Sequence, residues 1–313
     1  MKIKSILNYL KWIWFAAVVA AASWYVARNF TEIRLYLAAI KLPRLAISVL
    51  LLLVGKILTA DLTFQSLKLV SHPITFKDAF SVTTITQLGK YLPGGIWHFA
   101  GKIGIYRARG LTGKNALMPI VIENYWLIAS ALITGLSALF FSDSLVPCGF
   151  WRLLCRNEMK ISLLILVVSL WVLLSFLILR FALSLQITFL TNMRLSLEQF
   201  VIWFLFGISF WIVFPAGQNA DFLLQAISAF SVSWAAGYIA FFAPGGIGIR
   251  EASMAILLSI FFTEETIVVY ASLHRILWVI VELILAAVSM LLIGLPFDNS
   301  AGKIKEPEER NSP

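Results

Sequence analysis

Ionisable side chains interrupt long apolar stretches of this chain at Lys56, Asp61, Glu123, His274, Arg275 and Glu282. Placing a charge at mid-bilayer costs about 2.5–3.5 kcal/mol on insertion scales, so each position asks for a physical reason. A second group clusters around the motif PGGI, which occurs at 93–96 and again at 244–247. Thr83, Gln87 and Lys90 share one helical face leading into Pro93, Gly94 and Gly95, and His98 and Lys102 follow. Pro244, Gly245 and Gly246 are followed by Arg250 and Glu251. Proline removes a backbone donor and paired glycines free the backbone, so an apolar helix breaks at each motif. The helix that restarts presents free N–H groups and a positive dipole end, which suits an anion such as phosphate. Lysine and arginine add charge to that site, and Glu123, His274 or Glu282 offer a proton-linked step. A plainer reading is open for each group: a kink or tight turn at PGG, structural ion pairs between helices, or snorkelling near an interface. Asp61 lies five residues from Lys56 and so on a different face. Arg275 and Glu282, seven apart, share a face and are candidates to pair through the helix or through a neighbour.

The elements that position these residues follow from composition. The 313 residues are 60% hydrophobic and 13% charged, with mean hydropathy +0.89. A soluble domain carries about 25% charged residues, so this is a polytopic membrane protein. Six apolar runs are long enough to cross, or nearly so: 10–28, 45–67, 116–141, 161–183, 198–215 and 267–294. The first could be read as a signal peptide, but it continues through Trp24 and Tyr25. Two mixed stretches, 76–109 and 222–262, each centre on a PGGI. Their second arms are short for a full crossing, so they read as re-entrant hairpins, backbone tolerated at that depth only where protein or water surrounds it.

Moving every position by 151 carries run one onto run four, two onto five, three onto six and the first PGGI onto the second. The same shift carries Glu123 and Asn124 onto His274 and Arg275. The chain therefore reads as two copies of one unit, 1–156 and 157–297, followed by a polar tail, 298–313, of disordered composition. Three crossings per unit is an odd number, so the copies are inverted. The expected fold is an all-α membrane bundle of six spans and two re-entrant PGG hairpins. Ser228, Ser231 and Ala235 give the second hairpin a small-residue face suited to close packing.

The net charge of +9 comes from basic residues at the ends of apolar runs, where they set topology and meet anionic lipid rather than nucleic acid. Lys2, Lys4, Lys11, Lys68, Lys77, Lys90, Lys102, Arg107, Arg109 and Lys114 fall on one side, outnumbering the other. That side is read as cytoplasmic, with both termini there, in the plasma (inner) membrane. The first hairpin then opens to the cytoplasm and the second to the outside. Cys148 and Cys155 make no disulfide framework or metal-ligand pattern. A bond between them is an open possibility, although two helical turns separate the pair.

The segments KYLPGGIW (90–97), PIVIENYWLI (119–128), FFAPGGIGIREASM (241–254) and ASLHRILWVIVEL (271–283) resemble the lysylphosphatidylglycerol synthase transmembrane-region family, also called the flippase-like domain family. The resemblance covers about residues 5–295, and PGGIGIRE (244–251) is its most specific part. The family often has Glu-Arg where this chain has Glu123-Asn124. It implies translocation of a lipid or lipid-linked sugar. The chain ends soon after its last apolar run, so a soluble aminoacyl-transferase domain is not expected. The leading expectation is a flippase for a phospholipid or polyprenyl-linked sugar with an anionic head group, working by alternating access without cofactor. The site is expected to comprise Lys90, Pro93, Gly94, Gly95, His98, Lys102, Glu123, Pro244, Gly245, Gly246, Arg250, Glu251, His274, Arg275 and Glu282. The alternatives are a non-transporting scaffold for envelope or glycan biosynthesis proteins and an intramembrane lipid-modifying enzyme. The last lacks a paired-aspartate or HExxH pattern.

Overall fold

The computed structural model describes residues 41–294 except 73, 93–95, 143–156, 215–219, 241–245 and 247, together with Trp24, Ala27 and Arg34. The run 10–28, the tips Pro93, Gly94, Gly95, Pro244 and Gly245, both cysteines and the tail therefore lie outside the described residues. Among the described residues, nine helices from Leu42 onward follow in order: α1 (Leu42–Leu69), α2 (Phe76–Gln87, continued by a 3-10 turn Leu88–Tyr91), α3 (Trp97–Ala108), α4 (Gly113–Phe141), α5 (Asn157–Leu177), α6 (Phe189–Val213), α7 (Ala220–Ile239), α8 (Ile249–Leu258) and α9 (Glu264–Val288). α5 and α9 each close in a short π-helical turn, Ile178–Ala182 and Ser289–Ile293. No strand occurs among the described residues. Six of these helices, α1, α4, α5, α6, α7 and α9, are long and apolar enough to cross a membrane. The protein is an all-α integral membrane bundle.

Local chemistry explains the helix starts. Thr75 and Asp78 form a reciprocal cap on α2, with Asp78 N–H donating to Thr75 Oγ1 at 3.2 Å. Thr188 and Thr263 cap α6 and α9 through their hydroxyls. Pro43 opens α1, where its missing N–H costs nothing.

Two element boundaries depart from the sequence expectation. α6 begins at Phe189, not at 198, because the polar residues before 198 find partners inside the bundle. Asn192 donates to Val172 O at 2.9 Å, and Arg194 donates to Asp61 at 2.6 Å. The first arm of the second hairpin is α7, a full 20-residue helix long enough to span. The second arms, α3 and α8, have 12 and 10 residues, about 18 and 15 Å at 1.5 Å per residue, and cannot cross a core about 30 Å thick.

The 151-residue shift carries α1 onto α6, α2 onto α7, α3 onto α8 and α4 onto α9. The equivalent helices α1 and α6 pack directly on one another. Their contacts run in opposite order: Arg44 to Phe214 O (2.6 Å), Ser48 to Ser209 (2.8 Å), Gly55 against the Phe206 ring, and Asp61 to Arg194 (2.6 Å). Two equivalent helices that cross antiparallel relate inverted copies. The same exchange converts the antiparallel α4–α7 pair (Ser142–Asp221, Asn124–Tyr238) into the antiparallel α9–α2 pair (Gly294–Ser81, Glu282–Lys90). α4 and α7 approach closely because Gly135 faces Ser228 and Val232; a Cβ there would sit 2.7 Å from the Val232 side chain. The aromatic core (Trp203, Phe206, Phe210, Phe214, Phe222, Phe230, Trp278) fills the space between α6, α7 and α9.

Candidate functional site

Where the two copies meet, α1, α2, α3, α4, α6, α7, α8 and α9 surround a cavity of about 130 Å³. Each of its charges arrives on a different element. Lys56 comes from the middle of α1, beside Gly55, whose missing side chain admits the Phe206 ring. The 3-10 turn after α2 delivers Lys90 and Tyr91, and the short helix α3 delivers His98 and Lys102. α4 supplies Glu123 and Asn124, α8 supplies Arg250, and α9 supplies Arg275 and Trp278.

Three carboxylates organise these cations. Glu282 Oε1 accepts from Lys56 and from Lys90, both at 2.5 Å, and its Oε2 accepts from Tyr91 OH at 2.6 Å. The Lys56 ammonium also lies 3.7 Å from the centre of the Trp278 ring, a cation–π contact. Glu123 pairs with Lys102 and accepts from Tyr106 OH at 3.3 Å, while Lys102 also donates to Thr63 at 3.2 Å. Glu251 pairs with Arg275 at 2.5 Å and accepts from Gly248 N–H at 2.7 Å, fixing the start of α8.

Arg250 stands apart. Its guanidinium faces the Phe230 and Trp278 rings at 5.8 and 5.9 Å, its Nε is buried without a hydrogen-bond partner, and among the described residues it makes no ion pair. Its side chain lies over Gly237 and Gly246. Gly246 has φ +72, and a Cβ there would lie 2.8 Å from Gly237 Cα and 3.0 Å from Arg250 Cδ. The second elbow thus needs glycine at 246 both for its backbone and to seat the arginine.

The structure brings Lys90, His98, Lys102, Glu123, Gly246, Arg250 and Arg275 to one cavity. Glu282 lies behind its two lysines rather than on the wall. His274 and Glu251 fall elsewhere: with Arg250, Arg275 and Trp278 they line a separate space of about 20 Å³, room for roughly one water. His274 Nε2 meets Ser209 Oγ at 3.0 Å, at the α1–α6 crossing. The pairing of Arg275 with Glu282 does not form. Seven residues separate them by about 10 Å along the axis, and each finds a nearer partner on another element. Sequence reasoning missed Tyr91, Tyr238 and Trp278 in the site. Tyr238 OH donates to Asn124 and meets His98 Nε2 at 3.3 Å. Asp61 belongs to a different cluster, with Arg194 and Glu198, on the far face of α1.

Fold and site together define an integral membrane protein whose inverted halves enclose a charged cavity. Its lining and supporting residues include five cations (Lys56, Lys90, Lys102, Arg250, Arg275) and three carboxylates (Glu123, Glu251, Glu282). No family model matches the chain, and no curated protein matches it either.

Proposed function

We propose that this chain is a flippase-like protein that binds the anionic head group of a membrane lipid, a phospholipid or a polyprenyl-linked sugar, and moves it across the bilayer by alternating access. The observation that carries this reading is the charge of the cavity. Among the described residues, three carboxylates leave two of the five cations uncompensated, and Arg250 makes no ion pair. A buried charge without a partner is costly, and an incoming phosphate relieves that cost. The antiparallel crossing of α1 and α6 gives the inverted symmetry that alternating access uses. The bilayer in question is the plasma (inner) membrane. Lys68, Lys77, Arg107, Arg109, Lys114 and Arg180 gather at one end of the bundle, the end where α9 finishes. That end is read as cytoplasmic, with both termini beside it.

The test is head-group translocation by the purified protein in proteoliposomes, comparing phosphatidylglycerol with phosphatidylcholine. Faster movement of the anionic lipid is expected, with a large loss in Arg250→Gln. Movement of neither phosphatidylglycerol nor a polyprenyl-phosphate sugar above that in empty vesicles overturns the proposal.

A further inference from the structure

The inverted repeat makes two equivalent clefts, one between α3 and α4 and one between α8 and α9. The shift of 151 carries Phe99, Ile120, Glu123 and Asn124 of the first onto Arg250, Ala271, His274 and Arg275 of the second. The two clefts differ. Between α8 and α9 the space is about 20 Å³ and is spanned by the Arg275–Glu251 ion pair. Beside Phe99 of α3, the face of α4 carries a shallow, open groove of about 650 Å³. Its wall is apolar apart from Asn124: Phe99 from α3, with Ile120, Tyr125, Ile128 and Leu132 from α4. Ile120, Asn124, Ile128 and Leu132 recur every four residues with Tyr125 beside them, so they form one stripe about 18 Å long, more than half of a hydrocarbon core about 30 Å thick.

The groove adjoins the charged cavity. Phe99 and Asn124 line both, and Asn124 accepts the hydrogen bond of Tyr238, which in turn meets His98. An amphiphile whose charged end sits by Lys56, Lys90 and Arg250 therefore has an apolar path for its chain, past Phe99 and out along α4. A free phosphate has no use for that path. We infer that the α3–α4 groove is the lateral portal of the cavity, occupied by a hydrocarbon chain of the lipid whose anionic head group the cavity holds. The inference rests on the reading of the cavity as an anionic head-group site. The α8–α9 cleft is the same portal closed, with the Arg275–Glu251 pair across it.

A photoreactive benzophenone side chain introduced at Ile128 tests this in the full chain, reconstituted in equimolar phosphatidylglycerol and phosphatidylcholine. The control carries the same group at Leu166, an exposed residue of α5. Mass spectrometry of the adducts reads the lipid ratio at each position. Adducts at Ile128 should be enriched in phosphatidylglycerol about fivefold over those at Leu166, the factor that about 1 kcal/mol of preference produces. Arg250→Gln should return the ratio to that at Leu166, whereas Arg250→Lys should retain most of it. Equilibrium dialysis with radiolabelled glycerol 1-phosphate separates the two claims. If it binds in an Arg250-dependent way while Ile128 adducts keep the bulk ratio, the portal is wrong and the anion site stands. Adducts to residues 10–28 or to a second copy of the chain also overturn the portal. If glycerol phosphate does not bind and no enrichment occurs, both readings fall.

Discussion

Glu282 accepts hydrogen bonds from Lys56, Lys90 and Tyr91, and it lies on α9 while they lie on α1 and the turn after α2. Removing its charge leaves two lysines facing each other without a counter-ion. Breaking a buried pair from one side costs about 3–5 kcal/mol, so Glu282→Gln should lower thermal stability in detergent by that order. Lys56→Met in the same background should recover part of the loss; no recovery would mean that the effect comes from packing alone. Arg250 makes the opposite case. Among the described residues it makes no ion pair, so Arg250→Gln should leave the melting temperature unchanged or raised while anion binding disappears. A residue outside the apolar helices supplies a pH signature. Burial raises the Asp78 carboxyl, but hydrogen bonds from Arg109 and Thr75 outweigh it and hold the group below its ordinary value. Such a group stabilises the fold above its unfolded titration point and loses that contribution as pH falls through its folded one. The melting temperature should therefore drop below about pH 4, and the drop should shrink in Asp78→Asn.

Among the elements, α3 and α8 differ most in what holds them. α8 is fixed by Glu251, which caps Gly248 N–H and pairs with Arg275 on α9. The equivalent of Glu251 on α3 is Ala100, and the equivalent of Arg275 is Asn124, so the first cleft cannot form this pair. Glu251→Gln should loosen α8 from α9. Nitroxide labels at the equivalent positions Ile128 and Val279 report this: the label at 279 should become more mobile, and the label at 128 should not. An unchanged spectrum at 279 removes the ion pair from any role in closing the cleft. The repeat of helix order was legible in the sequence because apolar length and the two PGGI motifs survive any local variation. The length of α7 was not. Gln225, Ser228, Ser231 and Ser233 lower its hydropathy to 1.4, the smallest of the six, yet 61% of that window is buried in protein, where polarity meets no lipid. The start of α6 was hidden in the same way by the buried Asn192, and by Arg194, which stays exposed and pairs with Asp61. In the site, charged residues could be named because each breaks an apolar stretch. Their partners could not, since Glu282 meets Lys56 across 226 positions and no local spacing encodes that.

At the scale of the whole molecule, the two copies share a fold but not a state. The proposed alternating access predicts a second conformation in which the α8–α9 cleft opens and the α3–α4 groove closes, with α1 and α6 still crossed at Ser48 and Ser209. The exchange costs the Arg275–Glu251 pair, so a ligand that favours it must bring a comparable differential interaction. On the proposed function, an anionic head group would do so by replacing Glu251 as the partner of Arg275, whose guanidinium also lines the main cavity. Spin labels at Gly104 and Val121 span the first cleft, and labels at the equivalent Ala255 and Ser272 span the second. In phosphatidylcholine nanodiscs each pair should give one dominant distance, the first long and the second short. Phosphatidylglycerol should add a second population in which the first distance shortens and the second lengthens together. Arg275→Gln, lacking the pair to begin with, should show both populations without the anionic lipid. Distances that move in the same direction, or a first cleft that never narrows, would rule out an exchange between inverted halves and leave only a fixed binding cavity.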